Sequence, residues 1–218
     1  MMKISIIFIS LLLFVLSGCS TKNSVHAIKQ KKALKTKKGE FSRLKKELDY
    51  KFFIVAKKED ALADANVLES FKGCVYAKKF LAGVPKTLTK MNRLKNDFKY
   101  DDYLEKLKRV DEDYDEIKSN ITFSVKASNS SKDLQEVLYD ALERENLQIS
   151  EGDFGNHLNI TVGKKIKKDS AVIFITLKDN GGRVFTKNRV NISKDDMVMR
   201  FYEKIKKEGL DKILGFSK

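Results

Sequence analysis

The sequence is poor in the residues from which catalytic and metal sites are made. Its 218 residues include two histidines, two cysteines and no tryptophan. His26 and His157 lie too far apart for a zinc-ligand spacing. No nucleophile-elbow pattern is present, and Gly163-Lys164 lacks the upstream glycine of a phosphate loop. Proline occurs once, at Pro85, and no stretch is rich in Gly, Ser and Pro together. That composition excludes a low-complexity chain, and no repeat recurs at a solenoid period. The longest apolar run falls short of the roughly 20 residues that a membrane-spanning helix needs.

That run is Ile4–Leu16, preceded by Met1, Met2 and the cationic Lys3. A short basic start followed by an apolar core of this size has the anatomy of an export signal. The next residues complete the stretch Leu16-Ser17-Gly18-Cys19, which resembles the lipobox of bacterial lipoproteins. The resemblance covers about the first 20 residues. It implies cleavage before Cys19, acylation of that cysteine with fatty acids such as palmitate, and an outward address. By the same resemblance, Ser20 is not the aspartate that retains a lipoprotein in the inner membrane. The implied location is the outer membrane facing the periplasm, or the outer leaflet of the cell membrane in a single-membraned organism. Several acyl chains anchor stably where one is marginal. With Cys19 acylated, Cys74 has no partner in the chain, so no internal disulfide forms.

The net charge of +14 invites a nucleic-acid reading, but its distribution argues otherwise. Between Lys22 and Lys46 stand ten basic residues and one acid, Glu40, so this segment carries most of the excess. Basic clusters beside a lipid anchor are drawn to anionic head groups or other envelope polyanions. Lys22, Lys29, Lys31, Lys32, Lys35, Lys37 and Lys38 are the candidate contacts. A solvated linker kept open by its own charge is the alternative, and the two are compatible. Nucleic acid is not expected as a partner of an exported chain.

The pattern divides the chain into a signal peptide at 1–18, a lipidated basic linker at 19–40, a mainly helical region at 41–120 and an α+β domain at 121–218. In the linker, Gly39 closes a stretch without sustained apolar period, and a flexible segment of that length reaches about 25 Å. Lys51–Ala56 fits a strand or the buried part of a helix. Leu62, Ala65, Leu68, Phe71 and Val75 predict one amphipathic helix ending near Gly83 and Pro85. Leu88, Met91, Leu94 and Phe98 predict a second, and Tyr103, Leu107, Val110, Tyr114 and Ile117 a third. These stripes suit a helical-hairpin core, with a coiled-coil partner surface as the alternative.

From Ile121 the period changes to two. Strands are predicted at 121–125, 147–149, 158–162, 171–177 and 183–192, with Asp179-Asn180-Gly181-Gly182 as a hairpin turn. A helix capped at Ser130, with Asp133 three residues on, carries Leu134, Val137, Leu138, Ala141 and Leu142 on its apolar face. A last helix capped by Ser193 carries Val198, Phe201, Tyr202 and Ile205. The order predicts an α+β fold, an N-terminal helical segment followed by a mostly antiparallel sheet with two helices on one face.

Few side chains suggest chemistry. Cys74, beside Phe71, Val75 and Ala77, reads as a buried small hydrophobe, with an intermolecular disulfide as the sharper alternative. The acidic run Asp111–Glu116 lacks the glycine and terminal glutamate of a calcium loop and reads as a solvated helix end. His157, near Asp153, is the one residue on which a Ser-His-Asp hydrolase would turn. Lys164, Lys165, Lys167, Lys168, Arg183, Lys187 and Arg189 suggest a basic rim, with Phe185 facing the same side as Lys187 and Arg189. An aromatic-and-basic surface for nucleic acid and lysines that blunt an edge strand are its two readings, the second preferred. The sequence therefore predicts a non-enzymatic, membrane-anchored accessory or assembly module. It needs no cofactor or metal, has an envelope protein as partner and shows no small-molecule substrate. Polyanion binding through the tether is the alternative, and a hydrolase a third.

Overall fold

A computed structural model of the protein describes residues 4–152 and 155–217, with side chains described from residue 29. The chain divides into two compact units, Met1–Asp49 with Lys86–Phe98, and Tyr50–Pro85 with Lys99–Lys218.

The first unit is helical. Helix α1, Ile4–Asp60, runs without a break through the stretch 19–40 that the charge pattern predicts as an extended linker. Lysine, alanine, leucine and glutamine are good helix formers, and no proline interrupts them. Gly39 costs only about 1 kcal/mol in a helix interior and is not enough to end one. Against α1 lies α3, Val84–Leu94, which carries the only proline in its first turn, where the missing N–H has no helical partner to lose. Leu44 and Leu48 of α1 and Leu88 and Met91 of α3 are buried. Phe41 meets Phe98 edge to face at 5.0 Å. Lys90 pairs with Glu40 at 2.6 Å, and its hydrogen bond and charge hold that carboxyl below the usual range.

The second unit holds the sheet. Helix α2, Val67–Leu81, begins where the side chain of Asn66 accepts the Glu69 N–H at 3.0 Å. That cap splits the single helix predicted from Leu62 onward, because residues 61–64 form a turn. The ambiguous run Lys51–Ala56 is the end of α1. Helix α4, Asp101–Ser119, leads into β1, Thr122–Ala127. A short 3₁₀ turn at Asn129–Ser131 precedes α5, Lys132–Arg144. Ser130 therefore does not cap α5, and Asp133 instead accepts the N–H of Leu134. Strand β2, Gln148–Ile149, is followed by three ten-residue strands, β3 His157–Ile166, β4 Ser170–Asp179 and β5 Val184–Ser193. Helix α6, Met197–Glu208, and the one-turn α7, Leu210–Ile213, close the chain. Ser193 ends β5; the residue before α6 is Asp196, in the left-handed region at φ 50°.

The fold is α+β, with helices preceding a five-stranded sheet of order β2-β1-β3-β4-β5. The long pairings, β3 with β4 and β4 with β5, are antiparallel. β1 runs parallel to both its neighbours, since β1-α5-β2 is a crossover unit and the chain then enters β3 beside β1 in the same direction. Leu158, Ile160, Val162, Ile173, Ile175 and Leu177 alternate onto one face, and α5 and α6 supply Leu134, Leu138, Leu142, Phe201 and Ile205 to the same core.

An aromatic cluster ties α2 and α4 into that core. Phe71 of α2 stacks on Tyr114 of α4 at 5.5 Å and on Phe185 of β5 at 5.4 Å, and meets Phe216 edge to face at 5.1 Å. Nearby, Lys118 is 8% exposed and pairs with Asp211 at 2.6 Å and Glu145 at 3.3 Å. Replacing Phe216 by alanine should cost about 3–5 kcal/mol, as expected for a buried aromatic whose cavity cannot collapse. Urea unfolding of the variant measures this, and a loss below about 1 kcal/mol would show that the cluster does not hold the C-terminus.

Candidate functional site

The basic residues of the tether lie on the helical surface of α1. Lys29, Lys31, Lys32, Lys35, Lys37 and Lys38 are all exposed. The side chains of Cys19 and Lys22 lie outside the described residues. The helix orders these charges. Lys31, Lys35 and Lys38 follow a four- and three-residue spacing and fall on one face, and Lys45 and Lys46 continue it. The buried Leu44 and Leu48 occupy a different face, so the stripe is turned to solvent.

Among the described residues, Cys74 is the nearest thing to a reactive group. It lines a cavity of about 280 Å³ between the end of α1, α2 and α4, with Val55, Leu62 and Ile117 as apolar wall and Glu59, Asp113 and Glu116 around it. Leu62 reaches into the notch left by Gly73, where an added Cβ would overlap its Cδ1. The thiol is half-buried. Burial first, then the charges of Asp113 and Glu59, push its pKa up to about 11. Burial also raises Glu59, with Asp113 and Asp60 adding to the effect. The cavity therefore suppresses a thiolate at neutral pH, which is the opposite of what activates a nucleophilic cysteine.

His157 sits in a buried polar chain on the face of the sheet opposite the core. It is 2% exposed, and Ser124 is 4% exposed. The Oγ of Ser124 donates to Asn159 Oδ1 at 2.9 Å, which uses its only proton. His157 Nε2, 3.0 Å from the same oxygen, therefore donates to Ser124, and Nδ1 faces the Thr122 hydroxyl at 2.9 Å. Asn159 continues the chain to Asn180 at 3.1 Å. In a serine hydrolase the imidazole takes the hydroxyl proton. Here the bond runs the other way and Ser124 is closed to substrate. Asp153 lies outside the described residues.

The acidic run is dispersed by its helix. Asp111 pairs with Lys78 at 3.3 Å and Glu112 with Lys108 at 3.1 Å, whereas Asp113 and Glu116 face the Cys74 cavity. Among the described residues no three Asp, Glu, His or Cys side chains gather as a metal site.

The basic rim does not form as one surface. Lys164 turns to Asp133 at 3.1 Å with its side chain 16% exposed, and Arg183 clamps Asp179 in the hairpin turn at 2.8 Å. Phe185 does not join Lys187 and Arg189. It is the extra residue of a β-bulge, since Leu177 pairs with Thr186 and Lys178 with Val184, and the bulge swings its ring against Phe71. Lys187 and Arg189 instead share a groove with Lys79, Lys204 and Lys212. The sequence gives little sign of that grouping, because its members come from α2, β5, α6 and α7.

No protein-family model matches the chain, and neither does any curated protein. Among solved structures it is similar to a minor lipoprotein from Acinetobacter baumannii, at 12% identity and a TM-score of 0.30, over 40% of this chain and 93% of that one. At that level of similarity no property passes from one protein to the other.

The Cys74 environment has a direct readout. Alkylation by iodoacetamide should rise with pH toward a midpoint near 11 in the folded protein. At pH 8 it should run about a hundredfold slower than in the urea-unfolded chain, because the thiolate is the reacting form. Equal rates would show that the cavity does not shield the thiol.

Proposed function

We propose that this protein is a lipid-anchored envelope protein that acts as a non-enzymatic binding or accessory module. Its anchor is Cys19, and its place is the outer membrane on the periplasmic side, or the outer leaflet where there is a single membrane. The observation that carries the reading is the stretch Leu16-Ser17-Gly18-Cys19 behind a short apolar run with a basic start. The exposed lysine stripe next to it on α1 supports the same assignment, since basic residues and acyl chains reinforce each other on anionic membranes. Among the described residues no helix is long and apolar enough to cross a membrane. The non-enzymatic part rests on the two groups most open to another reading. His157 is committed to donating toward Ser124, and Cys74 is held as a thiol.

Fractionation of cells producing the wild type beside Cys19→Ser tests the anchor. Wild type should stay with membranes through high-salt washing and leave with detergent, whereas the variant should be soluble. A variant that remains equally membrane-bound would overturn the assignment.

The lysine stripe also favours a second reading, direct binding of an anionic surface. It predicts that Lys31→Gln, Lys35→Gln and Lys38→Gln together weaken binding of the soluble Cys19→Ser protein to anionic lipid vesicles by about a hundredfold at low salt. Binding that is unchanged by these substitutions, or insensitive to added salt, would remove the stripe from that role.

A further inference from the structure

The two edges of the sheet differ in length. One edge is β2, two residues long, and the other is β5, ten residues long. Among the described residues β5 pairs only with β4, so its outer edge has no strand beside it. A groove of about 620 Å³ follows that edge. Residues 185–191 line it without a gap. Consecutive side chains of a strand point to opposite faces, so a surface that meets all of them runs along the hydrogen-bonding edge itself.

The opposite wall is built from α6 and the C-terminal turn. Thr186 Oγ1 donates to the Leu214 carbonyl at 2.7 Å, and Asn188 Nδ2 reaches the carbonyls of Lys212 and Ile213 at 2.8 and 2.9 Å. Asn188 Oδ1 takes the Arg189 N–H at 2.8 Å, so that amide points away from β4, toward the groove, and is already bonded. A strand added here pairs with the other main-chain groups of the edge or displaces this side chain. The wall is held at a set spacing from the edge by these bonds.

The groove is predominantly basic. Among the described residues Lys79, Lys187, Arg189, Lys204 and Lys212 line it with one carboxylate, Glu208. Glu208 is shared between Lys204 at 2.9 Å and Lys212 at 3.5 Å. Lys187, Arg189 and Asn191 project from the same face of β5, one about every 6.8 Å along the strand.

We infer that the groove along β5 binds an acidic, extended peptide segment of a partner protein, which adds to the sheet as a sixth strand with carboxylates at alternate positions facing Lys187 and Arg189. Strand addition uses the main-chain groups of the exposed edge for affinity and side chains at every second residue for selection. Opposite charges directly across a strand pair stabilise it, and like charges oppose it. The second rule disfavours another copy of β5, which would bring its own Lys187 and Arg189. A non-peptide polyanion would satisfy the lysines and leave the strand edge unused. The groove spans about seven residues of strand, roughly 23 Å. This inference deepens the binding-module reading, and its failure would leave the fractionation result untouched.

The test is fluorescence anisotropy with the full-length chain in non-ionic detergent. The probe is an end-capped seven-residue peptide that alternates glutamate with threonine. The peptide should bind at least tenfold more tightly than its glutamine-for-glutamate counterpart. The Lys187→Glu, Arg189→Glu double variant, with its circular dichroism unchanged, should weaken binding at least tenfold. Of two peptides N-methylated at one or the other alternate set of amides, with charge unchanged, the one that loses the donors facing β5 should bind a further tenfold or more weakly. That last readout changes only the peptide and does not depend on how the variant folds. Binding of both N-methylated peptides equal to that of the parent would overturn strand addition. Inorganic polyphosphate that binds more tightly and loses the same factor in the double variant would make the groove a polyanion site. A dimer through β5 that excludes the peptide would make it a self-association surface. Either result overturns the proposal.

Discussion

The second unit depends on a single ring. Phe71 touches three aromatic partners, Tyr114, Phe185 and Phe216, that come from α4, β5 and the C-terminal turn. Each contact needs a local device elsewhere in the chain. Phe185 reaches the core only because a bulge opposite Leu177 and Lys178 turns it inward. Phe216 reaches it because the chain passes through glycines at φ +84° and +77°, Gly209 and Gly215, which bracket α7 and reverse its direction. Aromatic pairs contribute about 0.5–1.5 kcal/mol each beyond the area they bury, and here they join helices to a sheet that otherwise share few contacts.

Charge is arranged around this cluster. Lys78 stands 4.0 Å from the face of the Tyr114 ring and Lys118 5.7 Å from it. The Tyr114 hydroxyl is buried without a well-formed hydrogen bond among the described residues. Burial, and after it the carboxylate of Asp211, push the phenol far above its usual range, so it stays neutral. Lys118 pairs with Asp211 and Glu145, linking the end of α4 to α5 and α7. A buried pair of this kind adds little net stability against an apolar replacement. Its effect is to penalise arrangements in which the cation loses either partner, and so to fix where α7 sits.

The parts legible in the sequence are those set by local period. The apolar alternation of Leu158, Ile160 and Val162, the apolar run Ala171–Leu177 and the Asn180-Gly181 turn specify β3, β4 and their hairpin, and the stripe through Leu134 and Leu142 specifies α5. Parallel pairing around β1 is not written in any local pattern, since it follows from the crossover that α5 makes. The tether misleads for a clear reason. Residues 19–40 lack an apolar stripe, and absence of amphipathic period suggests coil, but lysine, alanine and leucine hold a helix without one. Caps at Ser130 and Ser193 shift because serine also suits turns and strand ends, and no sequence rule separates those uses. His157 is visible as an isolated residue, whereas its role as donor to Ser124 depends on Asn159, two positions on along the same face of β3. The grouping of Lys79 with Lys187 and Lys212 is a product of the fold alone.

The contrast between the sheet's two edges links stability to recognition. An unpaired edge invites other strands, and proteins protect edges by shortness or by charge. β2 is protected by its two residues. β5, at ten residues, depends on Lys187, Arg189 and the Asn188 amide that occupies the Arg189 N–H. The charged part of that protection is selective in sign. Lysine and arginine repel another basic strand and burden an apolar one with desolvation, whereas a strand that brings carboxylates offsets their charge. The features that keep this edge from pairing with most chains therefore define the chemistry of the few that it would accept.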